Sequence, residues 1–332
     1  MRKVDLCPVL LNLGEVRKFS AVVYRDGLKH LAEFLAEFLM DPLHMMIKAV
    51  QQFMLGTVLN SEKQAKQTLN ALTEAGYTGI ELCDFMIHPA GLAVRLLTKA
   101  AGMPVGKGGK LNWHSLIQES GLKVVSLHYD LGTLEKDVFQ AAEKAHSFGT
   151  HCIVITGMYG FDYGSEDAVR HLAQRLNTVG QVLQPHGISL LYHNHNCELR
   201  GVESGKKAYD ILIDETVPEL VDFEFDSYWF AEAGADPVRW MERLGNRARL
   251  WHINDRGTRM TGKSMTPIVK SDSMELGTGN LPLDALMAQA QKCGTEAVVL
   301  ESHRNWIDKS PIKSCQLSAK YLNSRMEEWG SL

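Results

Sequence analysis

The chain has 332 residues, 45% of them hydrophobic and 22% charged, enough apolar material for a large core and far from the composition of a disordered chain. Lys and Arg number 35 against 39 Asp and Glu, a net charge of −4, which argues against a protein built for bulk phosphate or nucleic-acid binding. No stretch approaches the ~18 uninterrupted apolar residues of a membrane helix, and Met1-Arg2-Lys3 runs into Asp5, Pro8 and Asn12 instead of an export-signal core.

Residues 1–50 carry Leu28, Leu31, Ala32, Leu35, Phe38 and Leu39 at helical spacing, ended by Asp41-Pro42. They are expected to form an N-terminal helical extension, either packed on the rest of the chain or docking a partner subunit. From Gln52 onward one pattern recurs: an apolar run, a polar connector, an amphipathic stretch, then often a Gly. The predicted strands are Phe53–Thr57, Gly79–Leu82, Val124–His128, Cys152–Thr156, Ser189–His193, Val221–Asp226, Leu250–Asn254 and Ala297–Glu301. They are rich in Val, Ile, Leu and aromatics, as strands buried on both faces should be.

Between them lie predicted helices. Ser61–Ala75, with Ser61 as N-cap, puts Ala65, Leu69, Leu72 and Ala75 on one face. Leu134–Phe148, Glu166–Gln184, Lys206–Asp214, Pro237–Leu244, Leu283–Lys292 and Ser310–Trp329 follow the same logic, and the third unit is split into Leu92–Ala100 and Trp113–Ser120. Gly76, Gly121, Gly149, Gly187, Gly245 and Gly294 each fall between a helix and a strand, where only Gly takes a left-handed stop without strain. Eight such units predict a closed (β/α)8 TIM barrel over residues 51–332. A doubly wound dinucleotide fold would want G-x-G-x-x-G after an early strand, and none follows any predicted strand. Gly106-Lys107-Gly108-Gly109 has the wrong context and reads as a surface loop. The six cysteines (Cys7, Cys83, Cys152, Cys197, Cys293, Cys315) form no C-x-x-C pair, so reduced thiols in a cytoplasmic protein are expected.

In a parallel barrel all strand C-termini open onto one face, and chemistry is built there. The third strand ends in His128, the fifth in Tyr192-His193-Asn194-His195 with Glu198 soon after, the sixth in Glu224-Phe225-Asp226. The seventh carries His252-Ile253-Asn254-Asp255, the eighth ends Glu301-Ser302-His303, and the second holds Glu81 with Asp84 and His88 following. Six of the 13 histidines thus lie at or just beyond strand ends. Burying so many titratable groups is costly unless a metal or substrate pairs with them. His193, Asp226, His252 and Glu301 come from different strands and are expected to converge on one divalent ion, with Glu198 as a competing fourth ligand. Two imidazoles and two carboxylates suit Mn²⁺, Mg²⁺, Co²⁺, Fe²⁺ or Zn²⁺.

At these residues the chain resembles the sugar phosphate isomerase/epimerase group of xylose-isomerase-like TIM barrels. The matching pieces are Gly76-Tyr77-Thr78-Gly79-Ile80-Glu81, Tyr192-His193-Asn194-His195, Asp226 followed by Ala233-Gly234-Ala235-Asp236-Pro237, Trp251-His252-Ile253-Asn254-Asp255, and Leu276-Gly277-Thr278-Gly279-Asn280 ahead of Glu301. The resemblance implies a divalent metal at the barrel mouth, Mn²⁺ in the first instance, held by His193 or Glu198 with Asp226, His252 and Glu301. Many members carry Glu where His193 stands, and that carboxylate doubles as ligand and base in keto-sugar epimerases. Its replacement weakens a plain epimerase assignment. A narrower resemblance, through Phe85-Met86-Ile87-His88-Pro89, Val94-Arg95-Leu96-Leu97-Thr98, Ala101-Gly102-Met103-Pro104-Val105-Gly106 and Ser126-Leu127-His128, is to the α subunit of bacterial C-glycoside deglycosidases. It implies cleavage of 3-oxo-C-glycosides by a hetero-oligomer with a small β subunit.

The expected chemistry is metal-assisted abstraction of the proton beside a sugar carbonyl. A neutral His is matched to that task. His128 and His195 are the candidate bases, with Glu301 an alternative that also touches the metal. Reprotonation of the intermediate gives epimerisation or isomerisation, whereas loss of the anomeric substituent gives elimination. His88, Asn194 and His303 are candidate contacts to sugar hydroxyls or aglycone, with His88 or His303 as proton donor. Arg95 and Lys107 read equally well as solvated charges, and Trp229 and Phe230 as stacking partners or rim packing. A metal-dependent endonuclease of the same fold would need a basic cradle that the acidic balance does not favour. A non-catalytic binding module would have lost the strand-end ligands, and four remain.

Overall fold

A computed structural model of the protein describes residues 46–88, 108–259 and 262–329. Ten strands lie among the described residues: β1 Ile47–Gln51, β2 Gly79–Cys83, β3 Lys123–Tyr129, β4 Cys152–Ile155, β5 Ser189–His193, β6 Val221–Asp226, β7 Ala248–Ile253, β8 Asp255–Gly257, β9 Asp272–Met274 and β10 Ala297–Leu300. Eight close into a parallel barrel in the order β1-β10-β7-β6-β5-β4-β3-β2. β8 and β9 form a small antiparallel ribbon beside it, outside the eight predicted strands.

The main helices run Glu62–Ala75, Trp113–Ser120, Val138–Ser147, Glu166–Leu183, Ala208–Glu215, Pro237–Leu244, Leu283–Cys293 and Pro311–Trp329. Ser61 caps the first, accepting a hydrogen bond from the Gln64 N–H. Each of the six expected glycine stops has a positive φ, from 57° at Gly245 to 99° at Gly76. The predicted helix Leu134–Phe148 divides into Leu131–Leu134 and Val138–Ser147, because Asp130 and Asp137 each cap a new start.

The first strand departs from expectation. Phe53–Thr57 lies inside the 3₁₀ segment Gln52–Val58, and the strand is Ile47–Gln51, which pairs with β2 and β10 and closes the barrel. The Gln51 side chain accepts from the Phe53 N–H at 2.6 Å and turns the chain out of the sheet at that point. The barrel therefore begins inside the stretch assigned to the extension. Residues 1–45, and with them the amphipathic stripe at 28–39, lie outside the described residues, as do Leu92–Ala100, Arg95 and Lys107.

The barrel interior is filled by Ala49, Val125, Cys152, Val154, Leu191, Leu250, Ala297 and Val299, packed as one cluster. One residue-pair step further along these strands the lining turns polar. A β-bulge between β2 and β3 makes Val125 an extra residue, so that Glu81 pairs with Ser126. Without it the period of two would turn His128 outward; with it Val125 and His128 both face the interior. The five described cysteines are all unpaired. Among the described residues no helix is long and apolar enough to cross a membrane.

Candidate metal centre

His193 ends β5 two residues after the inward-facing Leu191, and Asp226 ends β6 two residues after Glu224, so the pleat sends each side chain into the barrel. His252 lies two residues beyond the inward Leu250 of β7, and Glu301 follows β10, its N–H bonded to the Ile253 carbonyl. The four side chains are buried, and one ligand atom from each lies within 4.8 Å of all the others. His252 Nδ1 stands 2.9 Å from Glu301 Oε2 and 3.9 Å from Asp226 Oδ2. Asp226 Oδ1 accepts from the Trp229 N–H at 3.0 Å, which leaves Oδ2 to face the other three. His193 Nδ1 is 3.0 Å from Glu224 Oε2, so Nε2 is the atom it can turn to an ion.

The electrostatics call for a cation here. Burial, and after it the neighbouring Glu301 carboxylate, push the Asp226 carboxyl well above its ordinary range. Burial alone would also raise Glu301, but His303 and His252 outweigh it and hold it well below that range. Two carboxyls buried this close are costly to keep ionised together unless a divalent cation lies among them. Two imidazoles and two carboxylates are a donor set for Mn²⁺, Zn²⁺ or a similar ion.

A second layer of side chains backs these four residues. His252 Nε2 lies 2.7 Å from Glu81 Oε2 and 3.1 Å from Glu224 Oε2. Carboxylates behind ligating histidines fix ring orientation and tautomer. Glu81 and Glu224 are wholly buried and were missing from the expected ligand and catalytic residues. The signal was an acid inside an otherwise apolar strand, costly to bury without a partner.

Several expected site residues sit elsewhere. His128 lies in this second layer, its Nε2 2.9 Å from both Glu81 and Glu224. Burial lowers its pKa, but the two carboxylates outweigh that and raise it to about 10, the opposite of what a neutral base at this position would show. Glu198 faces away from the ligand set: it accepts from Tyr192 OH at 2.8 Å and from the His195 N–H at 2.9 Å. Asn194 is fully buried and clamps the Asp226 backbone, donating to its carbonyl and accepting from its N–H, both at 3.0 Å. Its amide therefore has no freedom to reach a sugar. His88 is exposed, with Lys144 Nζ 2.7 Å from its Nε2 and Asp84 at 3.6 Å.

His195 and His303 remain beside the ligands. The His195 ring lies 4.9 Å from that of His193 and 5.8 Å from Trp229. Burial, then the nearby His193, lower its pKa to about 4, so it is a neutral imidazole. His303 Nε2 is 3.5 Å from Glu301 Oε1, and its ring stands 5.6 Å from Phe53 and 6.3 Å from Trp229. Its Nδ1 is buried without a hydrogen-bond partner among the described residues.

The xylose isomerase-like TIM barrel family profile matches residues 69–324. An inosose dehydratase of Mesomycoplasma hyopneumoniae (strain 7448) is 40% identical over 93 residues, 28% of this chain and 30% of the relative. The inosose dehydratase of Clostridium botulinum (strain Alaska E43 / Type E3) is 24% identical over 204 residues, 59% of this chain and 65% of the relative. The chain thus spans less than two thirds of either relative. Among solved structures, a sugar phosphate isomerase/epimerase from Parabacteroides distasonis superposes with a TM-score of 0.64 at 20% identity, covering 83% of this chain and 93% of the other. A xylose isomerase-like TIM barrel protein from Mycobacterium smegmatis, in complex with magnesium, gives 0.59 at 15% identity over 86% and 98%.

Proposed function

The chain belongs to the xylose isomerase-like TIM barrel family, and from that premise we propose that it is a divalent-metal-dependent carbohydrate enzyme that removes the proton beside the carbonyl of an oxo-sugar and eliminates a neighbouring substituent. The observation that carries this reading is the pairing of the His193, Asp226, His252 and Glu301 set with His195, a neutral imidazole held next to it. A bound ion, Mn²⁺ in the first instance, supplies Lewis-acid stabilisation of the oxyanion that develops on the carbonyl oxygen.

The remaining steps fall to the chain's own residues. His195 takes the α-proton, and the C–H electron pair becomes the carbon–carbon double bond of the enediolate. When the carbonyl reforms, that pair moves to the next carbon pair and the substituent leaves with its bonding electrons. His303 returns a proton to the departing group. Phe53 and Trp229, flanking His303, offer flat apolar walls. They favour an aromatic substituent, and hence cleavage of a 3-oxo-C-glycoside. The relatives named inosose dehydratases support elimination over reprotonation, and make loss of water from an oxo-cyclitol the second reading.

The test is an assay of the metal-loaded full chain on a 3-oxo-C-aryl-glucoside, an inosose and a free ketohexose in deuterated water. Release of the aryl compound is the expected result. Water loss from the inosose would move the assignment to dehydration, epimer formation with solvent deuterium would move it to an epimerase, and metal-independent turnover would overturn it. A small companion subunit, implied by the C-glycoside reading, is tested by adding the purified partner to the same assay.

A further inference from the structure

Below the proposed ligands, and sharing His252 with them, lies a second constellation whose other three members the reaction does not use as ligands. His128 Nε2 is 2.9 Å from Glu81 Oε2 and 2.9 Å from Glu224 Oε2. His252 Nε2 is 2.7 Å from the first oxygen and 3.1 Å from the second. Nitrogen and oxygen therefore alternate round a four-membered ring with edges of 2.7 to 3.1 Å. The centre of a flat square of that size is about 2.0 Å from every corner, the bond length Zn²⁺ takes to imidazole nitrogen and carboxylate oxygen. A tetrahedral set of the same bonds has edges of about 3.3 Å, so the ring needs to open by only a few tenths of an ångström.

Hydrogen bonds alone do not satisfy this ring. Each Nε2 carries at most one proton, so two protons serve four short N···O contacts. Glu81 Oε1 is engaged by the Ser126 hydroxyl, which aims Oε2 at the ring. Glu224 Oε2 also meets His193 Nδ1, while its Oε1 is buried with no hydrogen-bond partner among the described residues. Both carboxyl groups are wholly buried, and any charge kept there needs a positive partner at contact distance. Either two imidazolium rings or one divalent ion meets that demand, and only the ion engages all four corners at once.

We propose that Glu81, His128, Glu224 and His252 form a second divalent-cation site, zinc by its donor set, beneath the first and sharing His252 with it. His252 presents Nε2 to the inner site and Nδ1 to Glu301. With only the inner site filled, Nδ1 keeps its proton and donates it to Glu301. With both filled, the ring bridges as imidazolate and its last N–H proton passes to solvent. The inner site stands on its own geometry and does not require the proposed reaction.

Zinc binding to the chelator-stripped full chain tests this, by equilibrium dialysis with elemental analysis. Wild type is expected to take up two ions per chain, Asp226→Asn one, and His128→Asn one. Circular dichroism checks that the variants fold, and Glu81→Gln provides a second removal of the inner set. Cobalt(II) supplies an independent readout: the visible spectrum of the fully loaded wild type should resolve into two components, one missing in His128→Asn and the other in Asp226→Asn. Uptake of one ion by wild type, lost in Asp226→Asn and kept in His128→Asn and Glu81→Gln, would overturn the inner site and leave the outer one standing. One ion kept in Asp226→Asn and lost in His128→Asn would uphold the inner site and remove the outer.

Discussion

Gly157 leaves the space that His195 occupies: a Cβ at position 157 would lie 2.8 Å from His195 Nδ1. That ring is hemmed by His193 and Trp229, so it has little room to retreat. Gly157→Ala should displace the proposed base without touching a metal ligand. Displacements of about 1 Å cost on the order of 100-fold in rate. Steady-state kinetics should show kcat down about 10- to 100-fold with metal content unchanged; wild-type kcat would remove His195 from the base role.

The acidity of His195 fixes the low-pH limb of the reaction. Its base form is the neutral ring, and burial with His193 lowers its pKa to about 4. The base therefore stays competent down to about pH 4, where an ordinary imidazole would be lost from pH 6.5 downward. The kcat/KM profile should fall as pH drops through about 4. A limb at 6.5 would point to a solvated His instead.

Asn194 ties the end of β5 to β6 through both polar atoms of its amide, each 3.0 Å from the Asp226 backbone. Asn194→Ala strands a buried N–H and a buried carbonyl, a loss of about 1–3 kcal/mol for unmet polar groups. Urea unfolding should read that loss, and chelator competition should show weaker metal retention because Asp226 is no longer held. Unchanged stability would mean that the clamp contributes nothing.

Glu224 braces His193, one of the four proposed ligands, accepting from its Nδ1 at 3.0 Å. Removing such outer partners costs about 10- to 100-fold in metal affinity. Glu224→Ala should show that loss in competition with a fluorescent chelator; affinity equal to wild type would contradict the support role.

The barrel was legible because strands buried on both faces read as short apolar runs and the helices between them end at glycines that take positive φ. β1 was not, since Lys48 and Gln51 dilute Ile47–Gln51 while the neighbouring Phe53–Thr57 is the more apolar run. His193, Asp226, His252 and Glu301 were legible as polar residues at strand ends, and the structure brings them together. The function of His128 was hidden by the bulge at Val125, which changes the inward parity of β3 and places the ring between two carboxylates. Glu198 and Asn194 were chosen for their chemistry near a strand end, but spacing does not reveal that a tyrosine hydroxyl and a neighbouring backbone already engage them.

In the proposed reaction an ion held by His193, Asp226, His252 and Glu301 makes an α-proton of an oxo-sugar removable. The most direct test is the exchange of that proton with deuterated solvent, followed by NMR on chelator-stripped, Mn²⁺-reloaded and Asp226→Asn protein. Exchange should stay at background in the stripped chain, recover on reloading, and fail to recover in Asp226→Asn. Undiminished exchange in the stripped chain, or full recovery in Asp226→Asn, would rule out that role for the ion.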